Sequence, residues 1–306
     1  MESGIRVEHL SKSLEVFRLE DIHFTMPQGY VLGLIGRNGA GKTTLLNTLM
    51  GLYTPEEGHI YIGDYDRVTE AIKAKEQLAF VTDESFYPTS MTPAGIGWLF
   101  RSVYKGFQEA QYKKLCKRFG LPMHRTLRKM SKGMVIKLEL ALAFSRDASV
   151  YIFDEPSAGL DPVFRKELVD LIFDLIQDGK KTVIFSTHLT DELDRIADYI
   201  LLLEQGKQVL FEQKEDLISR YRLLRGSEEM FERFGQRIIG KRLTEHCCEA
   251  LICLDSLSAD EIAHTLEAAS TSTESTGNRY CEKPQLMNPT VEDIMYYFIK
   301  GKEGSQ

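Results

Sequence analysis

One stretch constrains this chain more than any other: GLIGRNGAGKTTLLNTLMG, residues 33–51. An apolar run meets a glycine-rich turn, and the turn hands a lysine and two threonines to the start of a helix. Gly36-Arg37-Asn38-Gly39-Ala40-Gly41-Lys42-Thr43 fits G-x-x-x-x-G-K-[ST] without a mismatch. Glycines let backbone N–H groups converge on phosphate oxygens, and the following helix points its positive end at them. Lys42 is placed to reach β- and γ-phosphates, and the Thr43 hydroxyl to ligate Mg²⁺. Thr44 completes the phosphate-binding run. A glycine turn before an ordinary helix shares some of this pattern. The buried strand before it and the helix after it, from about Lys42 to Met50, favour the phosphate loop.

The motif alone does not separate kinases, GTPases and ATPases. VYIFDEP, residues 150–156, adds an apolar strand that delivers Asp154 and Glu155 at its end. An Asp there can hold a Mg²⁺ shell through water, and the next Glu can orient the attacking water. Adjacent acids after a strand are by themselves ordinary loop residues; paired with a phosphate loop in one sheet they read as catalytic. No NKxD-type guanine-reading segment occurs, which disfavours a GTPase. Nothing marks a second acceptor pocket, which disfavours a small-molecule kinase.

The rest of the 306 residues supply a scaffold. Residues 5–35 read as short strands. Buried strands then alternate with amphipathic helices: VYIFD, FRKELVDLIFDLIQDG, KTVIFSTH, TDELDRIAD and YILLLEQG. That rhythm predicts a parallel α/β sheet. Residues from about 88 to 145 are mostly helical and read as an insertion into it. Hydrophobic residues make up 43% and charged residues 27%, enough for a core and a polar surface. The net charge of −7 argues against nucleic acid as the main partner. MESGIRVEHL has no basic segment leading into an apolar one, so no secretory leader is expected. Runs such as YVLGLIG and YILLL are too short to cross a bilayer. The five cysteines form no CxxC pair and are expected to be reduced.

With these motifs in order, roughly the first two-thirds of the chain resembles the nucleotide-binding subunit of an ABC transporter. GRNGAGKTT looks like that family's Walker A and YIFDEP like its Walker B with the catalytic Glu155. SAGLD, residues 157–161, looks like the D-loop, and STH puts His188 at the switch position. KMSKGMVIKLELALA sits where the LSGGQ signature belongs. The resemblance implies a P-loop NTPase fold of the ABC ATPase type, spanning residues 1–212 with the helical subdomain inside it. It implies ATP and Mg²⁺ as ligands and a second ATPase subunit, identical or not. Each ATP would lie between the Walker A of one subunit and the signature of the other, where Ser131 and the Gly133 backbone meet the γ-phosphate. Ser131 also suits an ordinary helix cap. His188 would sense the γ-phosphate, and Asp161 would join the dimer interface.

Three departures from the family pattern stand out. Lys132 and Met134 replace the usual Gly and Gln of the signature. Asp83, followed by Glu84, stands where a Gln normally joins the Mg²⁺ site to the membrane partner; a carboxylate there can reach the metal through water. No aromatic for stacking on adenine is obvious. Leu14 lies near that position, and Phe17 could substitute or belong to the core.

The resemblance also implies an integral-membrane permease as partner and a peripheral position on the cytoplasmic face of the membrane. DESFYPTSMTPAGIGWLF, residues 83–100, would form a groove for a permease helix, with Phe86, Tyr87 and Trp98 as anchors or as subdomain core. The pattern looks most like exporters of peptides, antibiotics or other amphipathic cargo, of the ABC-2 kind. Two other readings stay open: a soluble ABC ATPase acting on ribosomes or DNA, and a regulatory ATPase of a membrane sensor. Against the first, the chain is acidic, has one cassette, and carries no sustained heptads.

Residues 213–306 read as a small α+β extension without a chemical motif. KEDLISRYRLLRG predicts a helix then a strand, EALICLDS a strand, SADEIAHTLEAAS a helix capped by Ser258 or Asp260, and TSTESTGN a loop. NPTVEDIMYYFIKG predicts a helix with Asn288 as cap, Pro289 at its first position and Gly301 at its end.

Overall fold

The computed structural model of the chain describes residues 3–82, 85–226, 231, 234–243, 248–255 and 285–303. Two compact units result, Met1–Phe211 and Glu212–Gln306.

The first unit is built on a ten-stranded sheet. Its strands are β1 (Ser3–Leu14), β2 (Phe17–Pro27), β3 (Val31–Ile35), β4 (Glu57–Ile62), β5 (Tyr65–Asp66), β6 (Leu78–Val81), β7 (Val150–Asp154), β8 (Thr182–Ser186), β9 (Tyr199–Glu204) and β10 (Lys207–Gln213). They lie in the order β5-β4-β1-β2-β10-β9-β3-β8-β7-β6. The half containing β3, β6, β7, β8 and β9 is parallel. Every residue of β3, β7 and β8 is buried, as expected of strands covered on both faces. The other half is an antiparallel layer of β1, β2, β4 and β5. Here the expectation of short strands fails: β1 has 12 residues and β2 has 11. Local kinks hid their length, because β1 shifts register three times against β2.

Helices α1 (Lys42–Met50) and α2 (Ala71–Glu76) follow β3 and β5. Between β6 and β7 come α3 (Pro93–Val103), α4 (Glu109–Arg118) and α5 (Lys132–Ala143), the expected helical insertion. Thr92 caps α3 through the Gly95 N–H at 3.2 Å, with Pro93 at the first position. Tyr112 locks α4 to it by donating to the Pro93 carbonyl at 2.7 Å. Trp98 does not fill this subdomain's core. It is 69% exposed, because the buried side of α3 is formed by Pro93, Ile96 and Gly97. Helices α6 (Pro162–Ile176) and α7 (Thr190–Ile196) follow β7 and β8.

The second unit contains α8 (Lys214–Arg220), β11 (Tyr221–Gly226), β12 (Ile238–Leu243), β13 (Cys248–Cys253), β14 (Gln285–Met287) and α9 (Val291–Glu303). Its sheet runs β12-β13-β11-β14, all antiparallel. The expected helix at SADEIAHTLEAAS and loop at TSTESTGN lie outside the described residues. The start of α9 differs from expectation. Thr290, not Asn288, is its cap: the Asp293 N–H donates to Thr290 Oγ1 at 3.1 Å, and the Thr290 N–H donates back to Asp293 Oδ2 at 2.9 Å. Two helix-end donors are satisfied at once, which Asn288 and Pro289 could not achieve. Gly301 lies inside the helix rather than at its end. Among the described residues no helix is long and apolar enough to cross a membrane, and Cys116, Cys248 and Cys253 are free thiols.

Candidate functional site: a phosphate cradle beside two carboxylates

Strand β3 ends at Ile35, and the chain turns through residues 36–41 into α1. Gly36 has φ 153, and a Cβ there would lie 2.4 Å from the Leu203 carbonyl oxygen. Gly41 has φ 110, and a Cβ there would meet the Phe17 ring at 2.7 Å. Larger residues would break the turn at both places. No side chain caps the N-terminus of α1, and its first turn contains no acid. Its end N–H groups therefore face the loop, ready for an anion.

A cavity of about 400 Å³ opens there, lined by Leu14, Phe17, residues 37–44, Asp154 and Glu155. Gly36 backs it. Lys42 donates to the Gly36 carbonyl at 2.6 Å and to that of Arg37 at 3.4 Å, curling the loop around its own ammonium. Burial lowers the lysine's pKa, while Glu155, Asp154 and Glu204 hold it up. Phe17 and Leu14 both stand in the cavity wall. Phe17 also packs on the main hydrophobic core.

The register β7–β8 sets Asp154 opposite Ser186, and the serine donates to Asp154 Oδ1 at 2.7 Å. Burial raises the Asp154 pKa and Glu155 adds to the rise; Ser186, Lys42 and the Thr43 hydroxyl oppose it. A hydroxyl and a carboxylate side by side are hard oxygen donors, the set Mg²⁺ takes. The residues therefore fit that ion.

Glu155 is held in a left-handed conformation, φ 51, which is uncommon for a non-glycine residue. Its N–H donates to the Ser186 carbonyl at 3.0 Å. This turn aims the side chain at His188, whose Nδ1 lies 2.6 Å from Glu155 Oε2 and whose N–H donates to the same oxygen at 3.3 Å.

Ser131, Gly133 and Asp161 do not line the cavity. They form a second group. Ser131 caps α5, accepting from the Met134 N–H at 3.3 Å. A Cβ on Gly133 would lie 3.0 Å from the Gly159 carbonyl oxygen. Asp161 caps α6 through the Phe164 N–H at 2.9 Å and pairs with Lys137 at 3.3 Å. Asp83 lies outside the described residues.

Three contributors carried no signal in the sequence reading. Ser186 is visible only once the strand register is known. Glu204 ends β9, and its Oε2 is buried without a hydrogen-bond partner among the described residues. Glu192 is 7% exposed and accepts from Ser157 at 2.8 Å and from Thr187 at 3.3 Å. It ties the turn after β7 to the turn after β8, and burial raises its pKa.

Fold and site together define a P-loop nucleotide-binding domain of the ABC ATPase type. Comparison with known proteins agrees. A sequence profile described as ABC transporter matches residues 19–158. The ABC transporter ATP-binding protein YdbJ of Bacillus subtilis (strain 168) is 30% identical over 214 residues, 67% of this chain and 68% of that one. The phospholipid-transporting ATPase ABCA3 of Rattus norvegicus is 30% identical over 218 residues, 68% of this chain; the match spans only 13% of that longer protein. A solved structure of the ATP binding subunit of an ABC transporter superposes with a TM-score of 0.65 at 27% identity, covering 70% of this chain and 92% of that one. The chain belongs to the ATP-binding proteins of ABC transporters, a family of ATPases.

Proposed function

We propose that this chain binds and hydrolyses ATP, pairs with a second ATPase subunit around the nucleotide, and energises a separately encoded membrane permease. One observation carries the reading: Lys42, Thr43, Asp154 and Glu155 meet in one cavity, and Glu155 is held by His188. Lys42 and the open end of α1 bind the β- and γ-phosphates. Thr43 and Asp154 would hold Mg²⁺, which would supply positive charge against the charge that develops on the phosphate. Glu155 Oε2 lies 2.6 Å from His188 Nδ1. An arriving γ-phosphate offers the imidazole a stronger acceptor, which releases the carboxylate to orient a water for in-line attack. The cavity lacks donors from Ser131 and Gly133, so those residues are free to close over the nucleotide of a partner subunit, with Asp161 beside them.

Energy must then leave the cassette. An apolar groove of about 440 Å³ lies where α3 of the helical insertion meets the core of the domain, lined by Leu52, Phe80 of β6, Phe86, Tyr87, and Leu99, Phe100, Val103 and Tyr104; Trp98 is not in its wall. Phe86 is 61% exposed and Val103 also 61%. We assign it to a helix of the permease, which places the chain on the cytoplasmic face of the membrane. Phospholipid transport is in the name of the relative ABCA3, and the cargo proposed here is likewise amphipathic: export of peptides, antibiotics or other amphipathic molecules. Asp83 would link metal and permease.

The test is to tag the full chain in the cells that make it, solubilise the membranes gently and identify what co-purifies, with Lys42→Ala alongside. A stoichiometric protein with several transmembrane helices is expected. Ribosomes or DNA without a membrane protein would instead favour a soluble ATPase of the same family and overturn the permease reading.

A further inference from the structure

The antiparallel layer carries a cluster unrelated to the nucleotide. Two neighbouring places in β1 and β2 each turn a pair of consecutive residues away from the core. In β1, Glu8 and His9 both turn outward between buried Val7 and Leu10; in β2, Glu20 and Asp21 do so between buried Leu19 and Ile22. The register shifts between Val7 and Leu10, where Glu8 and His9 stand across from His23, and again between Leu10 and Lys12, where Ser11 stands across from Glu20 and Asp21; the two kinks flank the Leu10–Ile22 pair. Both use the left-handed region, His9 at φ 47 and Asp21 at φ 50. His23, two residues after Asp21, projects from the same face.

His9, Asp21 and His23 are thereby brought together, with one ligand atom of each within 4.8 Å of the others. Among the described residues no other set of three such donors lies this close. His9 Nδ1 is 2.7 Å from Asp21 Oδ1. His23 Nδ1 faces the Asp21 carbonyl oxygen at 3.3 Å. A proton there leaves the Nε2 lone pair of His23 for an ion. The Asp21 N–H donates to Ser11 Oγ at 3.2 Å, which anchors the carboxylate's backbone. The cluster opens into a depression of about 650 Å³ whose wall includes Glu8, Gln208 and Phe211.

We propose that His9, Asp21 and His23 bind a divalent transition-metal ion of the zinc type, clamping β1 to β2. Two imidazoles and a carboxylate match the preference of Zn²⁺ over Mg²⁺ or Ca²⁺. Ligands at about 2.1 Å around a tetrahedral ion stand about 3.4 Å apart. The His9–Asp21 pair must open slightly and the other separations close by about 1 Å, a rotamer adjustment that exposed side chains can make. Water fills the fourth position.

The experiment uses the full chain, stripped with chelator and held in excess Mg²⁺, titrated with CoCl₂ and then ZnCl₂. One Co²⁺ per chain with the visible absorption of a nitrogen–oxygen site is expected, and Zn²⁺ should displace it. His9→Asn combined with His23→Gln should abolish the signal, and Asp21→Asn should weaken binding at least tenfold. Asparagine at 9 and 21 tolerates the left-handed backbone, so fold and ATP binding serve as controls. Absence of a saturable Co²⁺ spectrum, or an equal spectrum in the double variant, would leave an ion pair with no metal and overturn the proposal.

Discussion

Lys42 and Asp154 show how individual residues set the site. Each is buried against its own preference for water, and each is useful only when phosphate and metal arrive. Lys42→Ala removes the only ammonium among the cavity-lining side chains; nucleotide affinity should drop by about a hundredfold or more in a fluorescent-nucleotide titration. Asp154 has a clear sign. Its folded pKa lies above the ordinary 3.8 because of burial, so the folded chain holds that proton more tightly than the unfolded one. Stability from this group is present below 3.8 and lost as pH rises through the raised value. At neutral pH the nucleotide-free protein therefore carries a penalty. Asp154→Asn should raise its melting temperature while erasing Mg²⁺-dependent ATP binding, as scanning calorimetry with and without MgATP would show. An unchanged or lowered melting temperature in the apo protein would contradict this electrostatic account.

At the scale of elements, the site depends on turns that follow parallel strands. The turns after β7 and β8 carry Glu155 and His188, the proposed catalytic and switch residues, and Glu192 on α7 bonds to both turns. Glu192→Ala would leave the Ser157 and Thr187 hydroxyls without that acceptor, at a cost of about 1–3 kcal/mol by denaturant unfolding. Turnover should fall further than ATP affinity, since the phosphate loop is untouched. In the second unit, Thr290→Ala should cost about 1 kcal/mol through its cap, while Asn288→Ala should be near neutral. Much of this was legible in the sequence. The phosphate loop is one continuous segment with strict backbone needs, and β7 announces its two acids. The cap of α9 is written in the sequence as T-x-x-D at Thr290 and Asp293, but Pro289, a residue common at a first helical position, points equally to Asn288. Ser186 and Glu192 were not legible, because what they do depends on a strand register and on two turns meeting across α7. Nor was the exposure of Trp98, since an aromatic within an apolar helix pattern looks the same whether it faces a core or a partner.

For the whole molecule, two surfaces of the cassette are proposed to meet partners. One is the group around Ser131, Gly133 and Asp161; the other is the apolar groove where α3 meets the core of the domain. Phe86→Ser and Val103→Ser should leave ATP binding and thermal stability nearly unchanged, because both groove-lining side chains are mostly exposed. Recovery of the membrane partner in a pull-down should fall severalfold. Intact recovery would move the docking surface elsewhere.

The most direct test of the account is phosphate release from MgATP by the full chain beside Glu155→Gln, with ATP affinity measured on both. Slow but steady hydrolysis by the unaltered protein is predicted, with a loss of about a hundredfold or more in the variant and ATP affinity kept within a few-fold. Undiminished hydrolysis by Glu155→Gln would contradict the assignment of Glu155, and with it the chemistry proposed for this cavity.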